Sequence, residues 1–158
     1  MWLDLFLDNI LSVTKTIYSN NIIVATLLVF LTVATITDIR ALKIPNKLNG
    51  LFFVIRLILI PIIGFSFGNV LGAGIGFFLL LIPAMIKMHK MGGDIKCMTV
   101  VGFYLGAYIT PLFIALTCIY GFIYSISMLL ITKKKSNMPF APFFLLTHIT
   151  LWLITILL

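Results

Sequence analysis

The stretch IIVATLLVFLTVATITDIRALKIPN, residues 22–46, decides the fold of this chain. Its first sixteen residues are all apolar or threonine, and the first charge is that of Asp38. A run of this kind, ended by charged residues and a proline, predicts a helix that crosses a membrane. We place this first span at about residues 22–39.

The rest of the chain has the same apolar character. Of its 158 residues, 62% are hydrophobic and only 9% are charged, and the mean hydropathy is +1.24. A soluble domain of this size cannot bury so much apolar surface, so the composition predicts an all-α integral membrane protein. Short connections make successive helices antiparallel neighbours in one domain, residues 21–158. We expect six spans, at about residues 22–39, 48–65, 70–88, 94–109, 112–131 and 140–158.

The N-terminal residues differ from these runs. Between Trp2 and Ile17, Asp4, Asp8 and Ser12 recur every four residues, which is the spacing of one face of a helix. This pattern predicts an amphipathic helix within residues 1–20 that lies in the membrane interface. A short additional span is the alternative.

The basic residues indicate how the spans are oriented. The formal net charge is +7, which in a soluble protein would suggest a nucleic-acid partner. Here nine of the eleven basic residues fall in three alternate connections, and the positive-inside rule places such connections in the cytoplasm. The N-terminus is then outside, and no nucleic-acid partner is expected. The nine residues are Arg40, Lys43, Lys47, Lys87, Lys90, Lys96, Lys133, Lys134 and Lys135.

Two aspartates are the candidate catalytic residues. The chain has four acidic residues, and only Asp38 and Asp94 lie in the spanning region, at the predicted cytoplasmic ends of spans one and four. Ionisable groups there are costly and usually functional. Asp94 has a structural alternative as the N-cap of span four. The structural alternative for Asp38 is a carboxylate paired with Arg40 or Lys43; a helix C-terminus disfavours a negative charge, so capping does not explain its position.

Four ordered segments suggest a family. They are Asp38, Ile44-Pro45-Asn46, Gly92-Gly93-Asp94-Ile95-Lys96 and Met138-Pro139-Phe140-Ala141-Pro142-Phe143. Together they resemble the bacterial prepilin peptidases, or type IV leader peptidases, over about residues 22–158. That family has a Gly-x-Gly-Asp motif, and here Met91 stands at the position of its first glycine. The resemblance implies that Asp38 and Asp94 are catalytic, with Gly92, Gly93, Lys96, Pro45 and Asn46 as supporting motif residues.

The resemblance also implies an activity. It would be that of an intramembrane aspartyl endopeptidase, which removes a short basic leader from prepilin-like precursors at the cytoplasmic face of the inner membrane. Two adjacent carboxylates cannot easily both ionise, so such a pair shares a proton and activates water without a metal or cofactor. Longer family members carry a cytoplasmic domain with paired C-x-x-C motifs and also methylate the new N-terminus of the product. No C-x-x-C motif occurs in these 158 residues, so we expect peptidase activity alone. The alternative is a small non-enzymatic membrane protein, such as a transporter or channel subunit or an assembly scaffold.

Several other residues lie in or near the spans. Arg56 lies within the second span. It is either buried in the bundle, which would be costly and would suggest a functional role, or its side chain extends to the membrane interface. The glycines at positions 72, 74 and 76 predict close helix packing or a flexible span. Cys97 and Cys118 lack C-x-x-C spacing and are expected to be packing residues. Neither His89 nor His148 has a second ligand at the spacing of a metal site.

Overall fold

The computed structural model describes residues 2–87, 92–132 and 139–157, and these residues form seven helices with no strand among them. Three helices, α2, α5 and α6, are long and apolar enough to cross a membrane, and α7 is a shorter apolar helix. The prediction of an all-α membrane protein is confirmed. The helices are α1 (Trp2–Tyr18), α2 (Asn21–Ala41), α3 (Asn46–Ile58), α4 (Ile60–Ile63), α5 (Phe67–Lys87), α6 (Gly92–Thr132) and α7 (Ala141–Leu157).

Local signals delimit α2, the first predicted span. The Asn20 side chain accepts hydrogen bonds from the N–H groups of Ile22 and Ile23, at 3.1 and 3.4 Å, and so caps the helix. At the other end Leu42 adopts a left-handed conformation with φ 48°, which stops the helix. Pro45, with φ −64°, then precedes the first residue of α3, so residues 42–45 form the predicted turn.

The second predicted span comprises α3 and the short α4, which are separated at Leu59 ahead of Pro61. The next connection lies at residues 64–66. There the Asn69 side chain accepts a hydrogen bond from the N–H of Ser66 at 2.9 Å. This connection agrees with the turn predicted between spans two and three.

The predicted boundary between spans four and five is wrong. It was placed at Thr110 and Pro111, whereas both residues lie inside α6. The helix is interrupted at Gly106, where φ 77° and ψ 176° are angles that only glycine adopts readily. Pro111 is the fifth residue after Gly106, and its nitrogen has no hydrogen to donate to the carbonyl oxygen of Ala107, so the second half of α6 lacks one helical hydrogen bond there.

Glycines bring α5 and α6 into the most extensive helix contact of the described structure. A Cβ atom on Gly72 would collide with the carbonyl oxygen of Gly102, and one on Gly102 would collide with that of Gly72. A Cβ atom on Gly76 would lie 2.6 Å from the Met98 carbonyl oxygen. Close packing is therefore confirmed for Gly72 and Gly76, whereas Gly74 faces open space.

Helix α1 is attached to the bundle through a buried polar contact. The Nε2 atom of His148 in α7 donates to the carbonyl oxygen of Val24 in α2 at 3.2 Å. Its Nδ1 atom accepts from the Tyr18 hydroxyl at 3.3 Å. Burial raises the pKa of the Tyr18 hydroxyl, which therefore keeps its proton. The interfacial position of α1 stays a prediction.

Candidate active site

Asp38 lies in the last turn of α2, and its side chain is 4% exposed. Its Oδ2 atom accepts hydrogen bonds from the backbone N–H groups of Phe140 and Ala141, at 2.7 and 2.9 Å. Both donors lie at the start of α7. Asp38 therefore caps a helix more than 100 residues further along the chain.

This contact corrects the structural alternative for Asp38. Pairing with Arg40 or Lys43 was that alternative, but the hydrogen bonds that the structure gives Asp38 come from the α7 terminus. The first N–H groups of a helix have no partner within it, and the adjacent positive end of the helix dipole favours a carboxylate. Pro142 lies in the first turn of α7, where its missing N–H removes no helical hydrogen bond.

Asp94, the second candidate catalytic residue, lies on α6. That helix begins at Gly92, so Asp94 is its third residue and lies in its first turn, with the side chain half-buried. The structural alternative, in which Asp94 is the N-cap, therefore does not hold. A negative charge in the first turn is still favoured by the helix dipole.

The fold brings the two aspartates together. Asp38 acts electrostatically on Asp94, and Ile44 in the turn that follows Asp38 packs against Gly93 at the start of α6. Both aspartates also act electrostatically on Cys97, which is fully buried one turn after Asp94. Residues 56 positions apart in sequence thus form one acidic site where α2, α6 and α7 meet.

The two sequence motifs also contact each other beside this site. The Lys96 Nζ atom donates to the Asn46 Oδ1 atom at 3.0 Å. A Cβ atom on Gly93 would lie 3.2 Å from the Ile44 backbone nitrogen, which is a very close approach. Gly93 thus lets the start of α6 pack against the turn that Pro45 forms.

Gly92 is exposed, and a Cβ atom there would meet nothing within 4 Å. Among the described residues, Gly92 therefore leaves open space beside Asp94. Two other motif residues of the sequence analysis, Met91 and Met138, lie outside the described residues, as does His89.

Asn49 is a site residue that the sequence analysis did not select. It is 4% exposed, and its Nδ2 atom lies 3.5 Å from the Gly93 carbonyl oxygen. It follows Asn46 by three residues, which places both side chains on the same side of α3. The available signal was the spacing of two amide side chains in a helix whose other polar residues are Lys47 and Arg56.

The remaining cysteines and histidines do not form a metal site in the described structure. Both cysteines are free; Cys97 is buried as expected, whereas Cys118 is exposed rather than packed. Among the described residues, no group of three or more His, Cys, Asp or Glu side chains has an arrangement that could hold a metal ion.

The fold and the site together define an α-helical membrane protein with a pair of carboxylates contributed by two different helices. Residues 25–126 match the type IV leader peptidase family, and the chain belongs to this family. It is similar to the prepilin leader peptidase/N-methyltransferase of Bacillus subtilis (strain 168), with 32% identity over 117 residues. The match covers 71% of this chain and 47% of the relative, so the chain spans about half the length of that protein. No solved structure matches.

Proposed function

We propose that the protein is an aspartic endopeptidase that removes the leader from prepilin-like precursors in the inner membrane. The observation that carries the proposal is that Asp38 of α2 and Asp94 of α6 lie at one end of the bundle, where the turn after Asp38 contacts the start of α6. The family match and the similarity to the Bacillus prepilin leader peptidase/N-methyltransferase support the choice of substrate.

The surroundings of the two carboxylates suggest different roles for them. Hydrogen bonds that are donated to a carboxylate stabilise its ionised form, and Asp38 receives two from the start of α7. Because two neighbouring carboxylates do not readily both ionise, the shared proton then resides on Asp94. We therefore assign Asp38 as the general base and Asp94 as the general acid.

The reaction follows from these roles. Asp38 takes a proton from a water molecule as its oxygen bonds to the scissile carbonyl carbon, and Asp94 gives its proton to the carbonyl oxygen. In the second step the proton on Asp38 passes to the amide nitrogen as the C–N bond breaks. Asp94 recovers its proton from one of the two hydroxyl groups of the tetrahedral intermediate, and the oxygen of that group becomes the carbonyl oxygen of the new carboxylic acid. One water molecule is consumed, and both aspartates return to their starting states.

The open space beside Gly92 suits an extended substrate backbone next to Asp94. The exposed side chains of Arg40, Lys43 and Lys47 lie at the same end of the bundle as the pair. By the positive-inside rule, that end is cytoplasmic, where the leader of a precursor would be cleaved.

The test is processing of a precursor by the purified protein in lipid vesicles. We expect Asp38→Asn and Asp94→Asn each to reduce cleavage by at least about 1,000-fold, because a lone carboxylate cannot supply both proton transfers. Asp8→Asn is the matched control, since Asp8 is exposed on α1, and it should cleave at the wild-type rate. Wild-type rates in either site variant would refute the proposal, and failure of every form to cleave would favour the non-enzymatic alternative.

The same experiment reports on methylation. These 158 residues contain only two cysteines and no C-x-x-C pair, so we propose peptidase activity alone for them. The mature product should have the mass of a free N-terminal amine when a methyl donor is supplied. A product heavier by one methyl group would contradict this part of the proposal.

A further inference from the structure

A cavity lies well away from the aspartates, at the other end of α2 and α3. Its volume is about 430 Å³, and its walls come from the end of α1, the start of α2, α3, the connection between α4 and α5, and the interruption in α6. Arg56 lines it ten residues after Asn46, or roughly 15 Å along the axis of α3. The cavity is therefore separate from the acidic site of Asp38 and Asp94.

Arg56 is buried in the wall of this cavity, with only 2% of its surface exposed. Its guanidinium group lies 5.9 Å from the ring centre of Phe103 and 5.7 Å from that of Tyr104. A side chain directed towards a lipid interface would be exposed. The observed burial excludes that alternative within the described structure.

The guanidinium group is only partly satisfied. Its Nη2 atom donates to the Gly64 carbonyl oxygen at 3.2 Å, whereas Nε and Nη1 are buried without a hydrogen-bond partner among the described residues. Nε and Nη1 carry three N–H donors between them. Leaving donors of a charged group unpaired is costly, so an acceptor from outside the described chain is expected at this position.

The cavity favours an anion as that acceptor. None of the described residues in its wall is acidic, so the charge of Arg56 is not neutralised there. The second half of α6 also begins at the cavity, directly after Gly106, and the N-terminal end of a helix favours negative charge. The volume exceeds that of one water molecule by more than about tenfold, so it can hold a group as large as phosphate.

We propose that this cavity binds a phosphate group through Arg56, as the headgroup of a phospholipid or as the free ion. A guanidinium group matches the oxygen geometry of phosphate, and it keeps its charge when it is buried. The connections at residues 19–20 and 64–66 border the cavity. They precede the candidate spans α2 and α5 at the end of the bundle opposite the aspartates, so we expect them at a membrane surface, within reach of phospholipid headgroups.

The experiment measures thermal unfolding of the full chain in a maltoside detergent. One arm adds inorganic phosphate against chloride at equal ionic strength, and the other adds short-chain phosphatidylglycerol against diacylglycerol with the same acyl chains. We expect the unfolding midpoint of the wild type to rise by at least 3 °C in one or both arms, which corresponds to about 1 kcal/mol of linked binding. A response to phosphate identifies the free ion as a ligand, and a response to the lipid alone identifies the headgroup.

Arg56→Gln should abolish the rise, because it removes the charge and keeps an amide of similar length. Arg40→Gln is the matched control; it removes an exposed arginine at the other end of the bundle and should keep the full response. An equal response in Arg56→Gln would overturn the proposal. If Arg56→Gln does not fold, the wild-type comparison decides alone: equal midpoints in phosphate and chloride, and in both lipids, would also overturn it.

Discussion

At the scale of single residues, Asp38 combines two tasks. It supplies one of the paired carboxylates, and its Oδ2 atom accepts the first two N–H groups at the start of α7. Sequence analysis identified the residue by its rarity and its place at a helix end. The partners considered in sequence, Arg40 and Lys43, are near neighbours of Asp38. The N–H groups that actually bind Asp38 lie 102 and 103 residues away, so no local pattern indicates them.

The capping task predicts different stabilities for two substitutions of Asp38. Asparagine keeps an oxygen that caps α7, whereas alanine leaves both N–H groups without an acceptor. We expect the unfolding midpoint of Asp38→Ala in detergent to lie roughly 2–8 °C below that of Asp38→Asn, equivalent to about 1–2 kcal/mol. Both variants remove the repulsion with Asp94, so this effect cancels in the comparison. Equal midpoints would show that the cap does not stabilise the fold.

At the scale of elements, the contact between α5 and α6 depends on which glycines face the partner helix. Gly72 and Gly76 sit against the backbone of α6, whereas Gly74, between them, does not. In sequence the three glycines are equivalent, because residues two apart lie on different sides of a helix and the spacing does not show which side packs against α6. The interruption at Gly106 was also missed, because proline is the stronger signal in sequence and the φ of a glycine is not visible there.

Alanine substitutions separate these glycines. In a helix, alanine is favoured over glycine by about 1 kcal/mol, and this gain is common to Gly72→Ala and Gly74→Ala. Only the Cβ atom at position 72 collides with backbone atoms of Gly102 and Gly106, which cannot move as a flexible side chain can. We expect Gly74→Ala to unfold at or above the wild-type temperature, and Gly72→Ala to be destabilised by about 1–3 kcal/mol. The measurement is thermal unfolding in detergent, and equal midpoints of the two variants would contradict the packing.

At the scale of the whole molecule, the structure places the two sites at different ends of the bundle. The turn at residues 42–45 and the starts of α6 and α7 surround the aspartates, whereas the connection at residues 64–66 borders the cavity of Arg56. The orientation of these ends across the membrane is predicted from the basic residues alone.

That orientation can be tested with single cysteines in a Cys118→Ser background, which keeps only the buried Cys97. Lys47→Cys and Ser66→Cys place exposed thiols at the two ends. In intact cells a membrane-impermeant maleimide should label Ser66→Cys, and it should label Lys47→Cys only after the membrane is opened. The Cys118→Ser parent controls for labelling of Cys97, and the reverse pattern would place the aspartates outside.

The amino-acid sequence by itself determined the membrane class, most of the helices and both candidate aspartates. These depend on apolar run length, on rare charges and on turn residues, which are local properties, and a backbone in lipid has few alternatives to a helix. Only the tertiary structure decided that Asp38 caps α7, that Asn49 lies beside Gly93, and that Arg56 faces a cavity with donors unpaired among the described residues. Each of these depends on which distant segments pack together, and that outcome is set by side-chain packing across helices rather than by any local pattern.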